Sequence, residues 1–264
     1  MGTKSVGVCE LEAIVVIYLD YNVILDVTEA RTVEVHQKIL DLQSGGGILP
    51  FGTAHVEEAS GRFRSPHIIS SANPLISPLL SYLETMSKGY AIVPHGTNGK
   101  TEVVTDYNVN DCFCNVVGEN GYGLYLTQKA EETHRRKTMD VCQNRDSKVT
   151  SKVTSMPWEK VMASQIFIDA CDLYQVPHEY SPNSRGEEEQ AWQAVFWAFE
   201  KIGYSPEPLR RSPMHDLTHA ISASVADVFV TNDKKLFRKM EAAIHFWGLK
   251  IKLLKTDGFV KTNF

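Results

Sequence analysis

The sequence predicts an α/β protein whose parallel sheet carries helices on both faces. Three observations predict it. The apolar, β-branched run Ala13–Leu19 ends abruptly at Asp20, as a strand buried on both faces does. Strand-like and helix-like segments alternate over the first 60 and the last 50 residues. The composition, 43% hydrophobic and 22% charged over 264 residues, is that of a globular chain with a sizeable core.

The elements follow in order. Ala13–Leu19 is the first strand. Residues 28–42 hold Val33, Val35, Ile39, Leu40 and Leu42 on a helical period, stopped by Ser44-Gly45-Gly46-Gly47. Ile48–Phe51 is a second strand, and Gly52-Thr53 opens a helix with Glu57 and Glu58 in its first two turns. Near the other end, Pro213 precedes a helix at 216–225. It is followed by a strand at 227–231, a helix at 234–246 and a strand at 249–254. Residues 1–69 and 186–264 thus form the two halves of one α/β core.

Between them, 70–185 is expected to be an insertion or cap of mixed β and helix. Tyr90–Val93, Glu102–Thr105 and Phe113–Val117 are β-like, Leu124–Asp140 and Trp158–Tyr174 helical, and Asn144–Ser155 and Ser181–Glu189 polar loops.

Composition narrows the function. The apolar run 13–19 is too short to cross a bilayer, and Glu10 and Glu12 interrupt any signal-like segment, so a soluble cytoplasmic protein with no membrane partner is expected. Five cysteines, Cys9, Cys112, Cys114, Cys142 and Cys171, form no Cys-x-x-Cys pair and read as reduced thiols rather than a zinc site. The net charge of −5 argues against coating of nucleic acid by bulk charge. Residues 233–264, however, hold eight Lys and Arg against three acids, a net of +5 beside an acidic remainder.

Four acids stand where such folds place ligands. Asp20 closes the first strand, with Asn22 two residues on; Asp233 closes the strand 227–231; Asp216 opens a helix; and Glu57 lies early in another. Each has a bland explanation, a helix cap or first-turn acid, but carboxylates gathered from distant parts of a chain repel one another, and a divalent metal relieves that repulsion. Glu57 is preferred to its neighbour Glu58 because it directly follows Val56. His219, three residues after Asp216 on one helical face, is a supporting partner. Arg62, Arg64, Lys234, Lys235 and Arg238 follow the acids closely and would rim the pocket to hold phosphates.

The stretches Asp20-Tyr-Asn-Val23, Glu57, Asp216-Leu-Thr-His-Ala220 and Thr231-Asn-Asp233 resemble the PIN-domain nuclease family over about 13–60 and 213–254. The resemblance implies a Rossmann-like three-layer α/β/α domain and one or two Mg²⁺ or Mn²⁺ ions held by Asp20, Glu57, Asp216 and Asp233. Asn22, Thr231, His219 and Glu58 would support them. It implies metal-dependent endonuclease activity on phosphodiester bonds, chiefly as an endoribonuclease with RNA as partner, and is compatible with a homodimer or a regulatory protein partner. Two alternatives stand beside it: a catalytically inactive PIN-like scaffold that binds RNA or protein, and a haloacid dehalogenase-type phosphatase. The phosphatase wants a second Asp where this chain has Asn22.

Overall fold

The computed structural model describes residues 14–61, 73–118 apart from 75, 95 and 97, 122–143, 153–206 apart from 155, and 213–264. Strand β1 (Ile17–Leu19) is wholly buried and shorter than the apolar run suggested. Upstream of it, Val16 makes only a single parallel bridge, to Ile48. β1 pairs in parallel with β5 (Val228–Val230), and β5 with β6 (Lys252–Leu254). A second ladder joins β2 (Phe51–Gly52) in parallel to β3 (Ala91–Val93), which pairs antiparallel with β4 (Glu102–Val104). The ladders are stitched together where Ile17 N–H donates to Ile48 O (2.8 Å) and Ile48 N–H to Val15 O (3.0 Å).

Because successive strand residues point to opposite faces, the strands feed two cores. Tyr18, Phe229 and Ile92 enter one, with Phe167 and Cys171 of α8 (Gln165–Tyr174), Trp192, Phe196 and Phe199 of α9 (Arg185–Ile202), Leu217 and Ile221 of α10 (Pro213–Ala223), and Met240 of α11 (Lys234–Trp247). Ile17, Leu19, Val228, Val230 and Ala91 enter the other, with residues of α1 (Tyr21–Thr28), α2 (Val33–Ser44), α4 (Ser77–Ser87), α5 (Val109–Val117) and α12 (Thr256–Lys261). The protein is therefore a mixed α/β structure with small parallel and mixed sheets, consistent with three layers. Among the described residues, no helix is long and apolar enough to cross a membrane.

Several elements differ from expectation for local physical reasons. Residues 113–117, read as β-like from Phe, Cys and Val, lie in α5, because the Asn108 side chain caps that helix by accepting from Asn110 and Asp111 N–H. The helix expected over 158–174 breaks into α7 (Trp158–Met162) and α8, where Ser164 caps the second by accepting from Phe167 N–H. The polar stretch 181–189, expected as loop, already contains the first turn of α9: Ser184 accepts from Glu187 N–H. The segment 70–185 supplies β3 and β4 to the second sheet, α4 and α5 to one core and α8 to the other, and also holds α6 (Tyr122–Gln143).

Candidate metal centre

Helix α3 (Thr53–Gly61) starts directly from β2, and His55 fixes it against β1. The ring accepts from Gly52 N–H at Nδ1 (3.0 Å) and donates from Nε2 to Leu19 O (2.7 Å). Burial first, and then the positive charge of His219, push its pKa down to about 3, so it is a neutral tether. The tether brings the next turn of α3, with Glu58, to the end of β1.

Asp20 follows β1 and is 2% exposed. It occupies the N-cap position of α1, yet its side chain makes no capping hydrogen bond. Instead Oδ2 accepts from the Thr231 hydroxyl (2.7 Å), and Oδ1 lies 3.5 Å from His219 Nε2. That same Nε2 lies 2.9 Å from Glu58 Oε1. Asp20, Glu58 and His219 each bring one ligand atom, and the three atoms lie within 4.8 Å of one another. Burial raises the Asp20 carboxyl above its usual range, opposed by the His219 charge. Burial alone would lower His219. The Glu58 hydrogen bond and the charges of Asp20, Glu58 and Asp216 outweigh it and raise His219 to about 9. The imidazolium therefore offsets part of the negative charge of the buried Asp20 and the half-buried Glu58.

The remaining expected site residues fall around this group unequally. Glu57, preferred from the sequence, points along another face of α3, 3.9 Å from His215 Nδ1; Glu58 is the one that meets Asp20, because adjacent helix positions are turned about 100° apart. Asp216 acts on His219 electrostatically from the preceding turn of α10. Asp233 caps α11, its Oδ1 accepting from Lys235 N–H (2.8 Å) and Leu236 N–H (3.1 Å); its charge still reaches Asp20. Thr231 links the two aspartates, since its Oγ1 also accepts from Asp233 N–H (3.0 Å). Asn22 is exposed on α1.

Among the basic residues, Lys234 is exposed. Lys235 Nζ donates to Pro206 O (2.6 Å), and Arg238 donates to Thr154 O (2.7 Å) and Met156 O (3.0 Å), so both anchor loops rather than stand open to phosphate. Arg62 and Arg64 lie outside the described residues.

No protein-family model, curated protein or solved structure matches this chain.

The group fits a small divalent cation. On an ion with bonds of about 2.1 Å, neighbouring ligand atoms lie roughly 3.0–3.4 Å apart; the Nε2 distances of 2.9 and 3.5 Å bracket that range. Two carboxylates would also offset the charge of the ion, and Asp20 is held in place by burial while Glu58 is half-buried on α3. Glu58 is expected from the sequence in a supporting role; the signal for His55 is the stretch His55-Val-Glu57-Glu58 itself, which follows a short strand and places the His one turn before an acid.

Proposed function

We propose that this chain is a metal-dependent endonuclease with a PIN-like three-layer core, hydrolysing phosphodiester bonds and acting chiefly on RNA. The observation that carries the reading is the convergence of Asp20, Glu58 and His219 from three separate segments at the C-terminal end of β1, where open parallel sheets bind ligands. Asp20 and Glu58 would hold Mg²⁺ or Mn²⁺ beside the buried His219. A cation there supplies a more acidic bound water and a counter-charge for the phosphate oxygens. Thr231 fixes which Asp20 oxygen faces the group. Asp216 and Asp233 add negative charge at its border, and Lys234 is the exposed base at the start of α11.

The test incubates the purified protein with labelled RNA, labelled DNA and a small phosphomonoester, in Mn²⁺ or in EDTA, beside Asp20→Asn and Glu58→Gln. The expected result is internal cleavage of RNA that needs the metal and both acids. Intact RNA and DNA in every lane would remove the nuclease reading in favour of a binding scaffold, and phosphate release from the monoester alone would favour a phosphatase.

A further inference from the structure

We infer that His219 Nε2 is itself a metal ligand, giving the centre a nitrogen donor that selects Mn²⁺ over Mg²⁺. The inference rests on the reading of this group as a metal centre and adds its chemistry. Two features commit the Nε2 atom. It is the ring nitrogen turned toward both carboxylates, 2.9 Å from Glu58 and 3.5 Å from Asp20. The opposite nitrogen, Nδ1, is held by Tyr18 Oη at 2.9 Å inside the core. A ligating imidazole characteristically has its second nitrogen fixed in this way, which sets both the ring orientation and the atom offered to the cation.

The ring has no room to turn away. His219 is 1% exposed and Tyr18 is wholly buried, with Ser222 hydrogen-bonded to the same phenol. Gly52 is the residue that admits Tyr18, since a Cβ there would stand 3.0 Å from Tyr18 Oη. His55 cannot compete as the nitrogen donor, because Gly52 N–H and Leu19 O occupy its two ring nitrogens. The donor set is thus two carboxylates and one imidazole. Mg²⁺ dehydrates reluctantly and favours oxygen ligands in near-ideal octahedra, whereas an imidazole suits the first-row transition ions. Tyr18 is a positioning residue in this scheme, acting on the cation only through His219.

The experiment binds Mn²⁺ to the intact chain carrying ¹⁵N only in histidine and records pulsed electron paramagnetic resonance. It is paired with calorimetric titrations of Mn²⁺ and Mg²⁺. Expected are a histidine ¹⁵N coupling to the Mn²⁺ spin, Mn²⁺ binding at least about tenfold tighter than Mg²⁺, and about a tenfold or greater loss of Mn²⁺ affinity in Tyr18→Phe. His215→Gln keeps the coupling and His219→Gln loses it; because His219 is buried, the labelled unsubstituted protein carries the test if that variant does not fold. Mn²⁺ binding that disappears in Asp20→Asn but shows no histidine coupling overturns the inference and leaves the nuclease reading standing. A clear coupling without RNA cleavage does the reverse. Absence of Mn²⁺ binding by the unsubstituted protein overturns both.

Discussion

Strands β1 and β5 lie side by side in parallel, and each is followed by an aspartate at the N-cap position of a helix. Asp233 does what such a residue ordinarily does: its carboxylate accepts from two backbone N–H groups of α11, a contribution of about 0.5–2 kcal/mol. Asp20 forgoes that hydrogen bonding and turns to Thr231 and His219, partners about two hundred residues away in sequence. Burying a carboxylate costs several kcal/mol unless a counter-charge meets it, and at β1 the protonated imidazole, or a metal in its place, supplies that charge. A strand-end acid in this fold thus marks the site where its carboxylate leaves the local backbone for a distant partner. Position at the strand end is shared by both.

The largest effects should separate the two ends most sharply. Asp20→Asn and Glu58→Gln should each lower metal-dependent cleavage by about a hundredfold or more, with Mn²⁺ affinity falling in parallel by calorimetry. Glu57→Gln should leave most of that affinity; a loss equal to that of Glu58→Gln would move the centre one residue back along α3.

Acidity gives the next effect. The folded pKa of His219, about 9, lies above its ordinary 6.5. The imidazolium therefore stabilises the metal-free fold fully below about pH 6.5, and that contribution is lost as pH rises through about 9. Thermal unfolding of the metal-free protein should fall across this window. Because the cation replaces the Nε2 proton, Mn²⁺ affinity should rise by up to about tenfold per pH unit between 7 and 9.

Thr231→Val keeps the shape of the link between the aspartates and removes its hydrogen bonds. It should cost about tenfold in Mn²⁺ affinity and roughly 1–3 kcal/mol in denaturant unfolding. Smallest at the site is Asp233→Ala: about 0.5–2 kcal/mol of stability from the lost cap, with cleavage reduced less than about tenfold. Cleavage abolished in Asp233→Ala at unchanged stability would erase the contrast between the strand ends.

Much of this arrangement can be read in the chain, because its signals are local. The apolar run before Asp20, the strand before Asp233 and the Pro213 helix start each announce an element within a few residues. Helix α1 leaves no local signal, because it begins at Tyr21 directly after Asp20, with no turn between strand and helix. Helix α9, which carries much of one core, begins Arg185-Gly-Glu-Glu-Glu, so its charged first turn reads as loop while Trp192, Phe196 and Phe199 face inward. The choice between Glu57 and Glu58 depends on the rotation of α3 about its axis, which the His55 tether to Leu19 sets. A contact between residues 36 positions apart leaves no local pattern. His219 is similar: its sequence neighbourhood shows a helical histidine, and only the folded arrangement brings it between two acids.

The most direct measurement is anomalous diffraction from crystals grown with Mn²⁺. One manganese peak is expected within about 2.0–2.3 Å of Asp20 Oδ1, Glu58 Oε1 and His219 Nε2. A peak coordinated by Asp216 or Asp233 without His219, or no peak at the end of β1 in crystals containing saturating Mn²⁺, would contradict it.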